Sequence, residues 1–132
     1  MVVAPERAPQ IIMVVEDDTD PCQALGESLK AVFPEARIVM SESREAGLEQ
    51  ARRTRPRVIV LDLRLRGIGG FEFAERLRGQ EGAERVAIVA LTDDMSPDTL
   101  MKAEAAGFTA FLRKPADRDR LDMALRPLLQ GN

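Results

Sequence analysis

Residues 58–62 read VIVLD, four apolar residues followed by a carboxylate. The apolar part has the length of a strand, and its lack of polar residues is typical of a strand that is buried on both faces of a sheet. A carboxylate directly after such a strand lies beside the core, where losing its water is costly unless the group has a partner. Asp62 is therefore the first candidate functional residue of the chain.

Four other apolar runs of strand length lie on either side of this one. They are Ile11–Val15, Arg37–Met40, Val86–Leu91 and Thr109–Leu112. The stretches between them carry apolar residues at helical spacing, as in the stripe that starts at Cys22 and ends at Val32. Strands and helices thus alternate five times, which predicts an α/β fold, a three-layer sandwich with a mainly parallel sheet between two layers of helices.

Prolines mark two predicted helix starts and one conflict. Asp20 precedes Pro21 and Ser96 precedes Pro97, so each pair places an N-cap acceptor before a proline at the first helical position. Pro127 lies inside the last helical pattern, where it removes a backbone donor. We expect Pro127 to kink or shorten that helix.

The composition excludes several functional classes. The 132 residues are 45% hydrophobic and 31% charged, as in a soluble protein of one domain. The chain has no histidine, which excludes a Ser-His catalytic pair and a zinc site built on imidazole. The net charge of −3 argues against a nucleic-acid surface. No apolar run approaches the roughly 20 residues that span a bilayer, so we expect no membrane contact.

The two ends of the chain differ from its middle. Residues 1–9 contain two prolines and lack the apolar stretch of a secretory signal, so we interpret them as a flexible N-terminal tail of a cytoplasmic protein. Residues 10–130 are expected to form a single domain with no output domain after it. The one cysteine, Cys22, cannot form an internal disulfide and is expected to be a buried core residue.

Polar groups follow four of the five predicted strands. They are Glu16 with Asp17, then Asp62, Thr92 and Lys114. Taken singly, an acidic pair after a strand is more often a helix cap, and a Lys-Pro pair is usually a turn. In a parallel sheet, however, the carboxyl ends of the strands share one edge, so these groups converge. Together they suit phosphoryl transfer, which depends on charge neutralisation and positioning.

We expect the converging carboxylates to bind a divalent cation. Three carboxylates at one edge repel one another, and Mg²⁺ prefers oxygen ligands while keeping positions for water and phosphate oxygens. In this scheme Asp62 is the nucleophile and becomes an aspartyl phosphate. The metal and Lys114 hold two phosphoryl oxygens, and the Thr92 hydroxyl binds the third.

The sequence resembles the receiver domain of bacterial response regulators. The motifs that carry the resemblance are VVEDD at 14–18, VLDLRLRGIGGFE at 60–72, ALT at 90–92 and FLRKP at 111–115. The match covers Ile11 to about Leu129. It implies a flavodoxin-like parallel sheet of five strands in the order 2-1-3-4-5. It also implies a signalling switch that is not an enzyme and catalyses only its own phosphorylation and dephosphorylation.

The resemblance also assigns roles to the metal-binding and phosphoacceptor residues. Glu16 and Asp17 become the acidic pair that binds Mg²⁺, and Asp62 becomes the phosphoacceptor and a further ligand. The backbone carbonyl of Arg64 is implied as another metal ligand.

Further roles follow for residues of the fourth and fifth strands. Thr92 and Lys114 are implied as the phosphate-sensing pair, with a cis bond between Lys114 and Pro115. Phe111 falls at the family's aromatic switch position, where a plain core role is an equally good interpretation.

Departures from the family pattern concern regulation. Arg66 stands where a proline is usual, and Asp93 stands where a small residue is usual. Arg64 and Asp94 occupy the positions that tune the lifetime of the phosphoryl group. Because their charges are opposite, we hypothesise that they form a pair over the phosphoryl group and hinder attack by water.

Two other functions stay open at this point. The chain could be a receiver-like docking module that is never phosphorylated. A haloacid-dehalogenase-type phosphatase also uses an aspartate nucleophile and Mg²⁺, but normally has a second aspartate where this chain has Arg64.

The implied partners follow from what the sequence lacks. Since the chain has no histidine, the phosphoryl donor would be a separate sensor histidine kinase or phosphotransfer protein, or a small phosphodonor. Output would pass to an unknown downstream effector protein or a deleted output region, and a phosphorylation-linked homodimer is a further alternative.

Overall fold

The computed structural model describes residues 9–16, 18–63 and 69–130. Strands and helices alternate as predicted. The strands are β1 (Ile11–Val15), β2 (Arg37–Ser41), β3 (Val58–Asp62), β4 (Ala87–Thr92) and β5 (Ala110–Arg113). The helices are α1 (Thr19–Val32), α2 (Arg44–Thr54), α3 (Gly70–Arg78), α4 (Pro97–Ala105) and α5 (Arg118–Gln130), with a 3-10 turn at Ala83–Arg85 before β4. Apart from Pro9, the predicted tail lies outside the described residues.

The five strands form one parallel sheet in the order β2-β1-β3-β4-β5. This confirms the predicted order, with β3 at the centre and β2 and β5 at the edges. Parallel neighbours need crossover connections, which the helices provide. No helix within the described ranges is long and apolar enough to cross a membrane.

Two apolar cores lie on opposite faces of the sheet. Alternate residues of β3 belong to different cores, because successive side chains of a strand point to opposite faces. Val58 and Val60 pack with residues of α1 and α5, whereas Ile59 and Leu61 pack with residues of α2, α3 and α4. This double burial explains why VIVL contains no polar residue. Cys22 of α1 is part of the first core, as predicted.

The two predicted helix starts have different outcomes. Ser96 is the N-cap of α4, its side chain accepts a hydrogen bond from the Thr99 amide, and Pro97 is the first helical residue, which confirms the prediction. The prediction for the first helix is wrong, because α1 begins at Thr19 with Asp18 as its N-cap. Pro21 is tolerated in the first turn, where backbone amides have no partner within the helix.

The shortening predicted at Pro127 does not occur, since α5 continues to Gln130, while the predicted kink stays a prediction. Two side chains at the amino-terminal ends of β1 and β3 donate hydrogen bonds to the last turn of α5. The amide of Gln10 donates to the Leu129 carbonyl at 2.7 Å, and Arg57 Nε donates to the Leu128 carbonyl at 3.1 Å. These bonds satisfy carbonyl groups that a helix end otherwise leaves open, so the turn persists beyond the proline.

Candidate functional site

Two buried carboxylates lie side by side at the carboxyl end of the sheet. Val15 of β1 is paired with Leu61 of β3. Glu16 directly follows Val15, and Asp62 directly follows Leu61, so the two acids have the same register. Adjacent strands are about 4.8 Å apart, and residues at the same register point to the same face. Glu16 is 8% exposed and Asp62 is 5% exposed. The register therefore brings together two acids that lie far apart in the sequence.

Lys114 completes this group from the far side of β4. Its Nζ donates a hydrogen bond to Asp62 Oδ2 in an ion pair. The lysine follows β5, and its backbone amide donates to the Thr92 carbonyl at 3.0 Å, which fixes the start of the side chain. The ion pair compensates the loss of water around the Asp62 carboxylate, which accounts for a charge beside the core.

Thr92 is the last residue of β4, the strand that lies between Asp62 on β3 and Lys114 after β5. It is 2% exposed. Its hydroxyl accepts a hydrogen bond from the Asp94 amide at 2.9 Å and donates one to the Asp94 carbonyl at 3.2 Å. The hydroxyl thus closes a short turn at the start of the β4-α4 loop. Thr92 lies at the predicted edge, where its hydroxyl bonds to the loop.

Asp94 organises the beginning of α4. Its Oδ1 accepts from the Ser96 amide at 3.0 Å, and its Oδ2 accepts from the Thr99 hydroxyl at 2.6 Å. The sequence also predicts a pair between Asp94 and Arg64, and because Arg64 lies outside the described residues, that pair stays a prediction. The capping contacts had a local signal, an aspartate two residues before a serine N-cap, which is an arrangement typical of Asx turns.

Two further predicted features lie in β5 and directly after it. The Lys114–Pro115 bond is cis, as predicted. Phe111 is half-buried, is paired with Ala90 of β4, and packs against the core shared with α3 and α4. Its half-exposed position is compatible with both the switch and the plain core interpretations.

Two residues of the predicted site, Asp17 of the metal pair and Arg64 with its backbone carbonyl, lie outside the described ranges. Arg66, which departs from the family pattern, lies outside them as well. Within the described ranges, no three acidic or cysteine side chains are close enough to hold a metal ion by themselves. Among the described residues, Glu16 and Asp62 are the two carboxylates that could bind a metal ion. Two carboxylates suit Mg²⁺, which commonly binds one or two of them and completes its shell with water and phosphate oxygens.

The buried thiol of Cys22 offers no second nucleophile. Burial raises the pKa of this thiol above its ordinary value, and the negative charge of Glu16 raises it further. Because the thiolate is the reactive form, a raised pKa keeps Cys22 protonated and inert at neutral pH. Asp62 is therefore the stronger candidate for covalent chemistry.

Comparisons with known proteins place the chain in a family. The family described as "Response regulator receiver domain" matches residues 12–126. The chain is 33% identical over 119 residues to the transcriptional regulatory protein AfsQ1 of Streptomyces coelicolor, a match that covers 90% of this chain and 51% of that protein. It is 33% identical over 95 residues to the response regulator GacA of Pseudomonas protegens, which covers 71% of this chain and 43% of that protein. The chain thus spans about half the length of these curated relatives.

Solved structures give the same picture. The chemotaxis protein CheY4 of Vibrio cholerae has a TM-score of 0.85 and 25% identity, over 92% of this chain and 99% of that chain. The receiver domain of the sensor histidine kinase PA1611 from Pseudomonas aeruginosa has a TM-score of 0.83 and 27% identity, over 94% of this chain and 100% of that chain. That structure has a magnesium ion coordinated in its active-site cleft.

Proposed function

The chain belongs to the response regulator receiver domain family of two-component signalling, and from this premise we propose that it is a magnesium-dependent switch phosphorylated on Asp62. One observation carries the proposal. The Asp62 carboxylate lies beside the core, is paired with Lys114, and has the Thr92 hydroxyl at the end of the next strand. A nucleophile, a cation and a hydroxyl donor at one sheet edge are what acceptance of a phosphoryl group requires.

The proposed reaction uses the side chains in fixed roles. An Asp62 carboxylate oxygen attacks phosphorus, the P–N bond of a phosphohistidine breaks, and the donor imidazole regains a proton. Lys114 already contacts Asp62, so its ammonium group is positioned to bind one oxygen of the new aspartyl phosphate. The Thr92 hydroxyl would donate to another oxygen.

Magnesium has a defined place in this proposal. Glu16, Asp17, Asp62 and the backbone carbonyl of Arg64 would hold it, and when bound it supplies positive charge that offsets repulsion between the carboxylates and the phosphoryl group. The buried Glu16 and Asp62 pair supports the assignment, since these are hard oxygen ligands on neighbouring strands.

The partners proposed for the switch follow from its chemistry. Since the chain has no histidine, a separate sensor histidine kinase or phosphotransfer protein, or a small acyl phosphate, supplies the phosphoryl group. Output passes to a downstream effector or to a region outside this sequence, a choice that stays open because the chain spans only about half of these relatives. We place this signalling in the cytoplasm.

Phosphodonor labelling tests the proposal. The protein is incubated with acetyl phosphate and Mg²⁺, and its intact mass is measured. We expect one phosphoryl group on the wild type and none on Asp62→Asn, whereas Asp122→Asn, a change of a half-exposed aspartate on α5, should label normally. A folded wild type that takes no label would favour the unphosphorylated docking module instead. Label that persists in Asp62→Asn would overturn the choice of acceptor.

A further inference from the structure

The Thr92 hydroxyl has one hydrogen, and the β4-α4 loop uses it. That hydrogen is donated to the Asp94 carbonyl, while the hydroxyl oxygen accepts from the Asp94 amide. A phosphoryl oxygen on Asp62 accepts hydrogen bonds and has no hydrogen to give at neutral pH. Thr92 therefore has to give up its bond to the Asp94 carbonyl before it can donate to the phosphoryl group.

The cost of that release depends on how firmly Asp94 is held. The two carboxylate oxygens of Asp94 accept from the Ser96 amide and from the Thr99 hydroxyl. Thr99 also accepts from the Ser96 hydroxyl at 3.2 Å, so the N-cap of α4 and its first turn are joined to the same carboxylate. A change at Thr92 is thereby connected to α4 through one residue.

The other end of α4 is fixed by a different contact. The Arg78 guanidinium donates to the carbonyls of Ala83, Val86 and Gly107 at 2.7 to 2.9 Å. Gly107 follows α4, and Ala103 and Ala106 at this end of the helix are buried, whereas Pro97 and Asp98 at the beginning are exposed. Release of the loop would consequently move the first turn of α4 more easily than its end.

We propose that Thr99 is a positioning residue that, through Asp94, sets how readily the Thr92 hydroxyl turns to a phosphoryl group on Asp62. The hydrogen bonds around the Asp94 carboxylate hold the loop in the unphosphorylated arrangement, and occupation of the site releases the first turn of α4. This inference rests on the proposed function, because it needs an anion bound at Asp62.

Beryllium trifluoride, an anion with the shape of a phosphoryl group, tests the inference at saturating Mg²⁺. Thr99→Val keeps the shape of the side chain but removes its hydroxyl. We expect this variant to bind the anion about tenfold more tightly, the lower end of what one hydrogen bond to a charged group supplies. Thr99→Ser, which keeps the hydroxyl, should bind with the wild-type affinity.

Hydrogen exchange at the Leu100 amide, which donates to the Ser96 carbonyl, provides a second measurement. In the wild type, this amide should exchange faster once the anion is added. In Thr99→Val, it should already exchange faster than in the wild type before the anion is added. Thr54→Val is the matched control, since the Thr54 hydroxyl bonds to the Gln50 carbonyl on α2, away from the site. The control should leave both measurements unchanged.

The outcomes separate this inference from the proposed function. If the wild type binds beryllium trifluoride and Thr99→Val binds it equally well or more weakly, the role of Thr99 is overturned while the switch stands. If the folded wild type does not bind the anion at all, the proposed function fails and this inference fails with it. Should Thr99→Val fold poorly, Thr99→Ala repeats the measurement without the hydroxyl.

Discussion

Lys114 and Asp62 form an ion pair across the intervening strand β4. The Asp62 side chain is 6% exposed and the lysine side chain 33% exposed, so the lysine offsets the loss of water around the carboxylate while it keeps contact with water itself. A cation that is partly solvated can reorient toward an added phosphoryl group without being moved out of the core. The same contact thus stabilises the resting protein and places a cation where the proposed chemistry needs it.

Lys114→Met should lower the free energy of unfolding by about 1–3 kcal/mol, because it removes an ammonium group that contacts a buried carboxylate. Chemical denaturation at neutral pH measures the change. Combining Lys114→Met with Asp62→Asn should recover much of the loss, since the side chain that Lys114 contacts is then neutral. The control is Arg76→Met, which breaks an exposed pair with Glu72 and should cost about 1 kcal/mol at most. Equal losses for the buried and exposed pairs would contradict the prediction.

Mg²⁺ should raise the melting temperature of the wild type. A cation that binds only the folded protein stabilises it by about 2.7 kcal/mol at a hundred times its dissociation constant. Glu16→Gln should weaken this response, because it removes one of the two described carboxylates at the site. Glu27→Gln changes an exposed acid on α1 and should keep the full response. A wild type whose melting temperature ignores Mg²⁺ would remove the metal from the proposal.

Arg78→Met should destabilise the protein by about 2–4 kcal/mol, because it leaves three backbone carbonyls without their shared donor. Burial also lowers the pKa of this guanidinium. Thermal unfolding measures the loss, and Arg85→Met, at an exposed position in the 3-10 turn, is the control. A loss no greater than that of Arg85→Met would show that the three bonds are dispensable.

The buried thiol predicts a dependence of stability on alkaline pH. Burial raises the pKa of Cys22 above its ordinary value of 9.0, so the unfolded chain releases this proton at a lower pH than the folded protein does. Stability should therefore fall as the pH rises from the ordinary pKa toward the raised one. The difference between wild type and Cys22→Ala in denaturation at increasing pH isolates this contribution. A difference that does not vary with pH would rule it out.

The sheet was predictable because its signals are repeated along the chain. Each strand contains a run of at least three apolar residues, and polar residues follow that run, so the same pattern indicates both the strand and the edge where the candidate site lies. The start of α1 is harder to predict, because Asp18 and Asp20 are both residues that N-cap helices well. The Arg78 contacts have no sequence signature, since a guanidinium that binds distant carbonyls depends on the folded backbone rather than on a partner residue type.

The alternation of side chains along β3 also limits how this chain can tolerate insertions and deletions. Exchanging Ile59 or Val60 for another β-branched residue alters packing only slightly, and Asp62 still points toward Lys114. Removing one residue from the strand shifts the phase, so that the carboxylate would turn to the layer of α2 and α3. The spacing of this strand is therefore under a stricter constraint than the identity of its apolar residues.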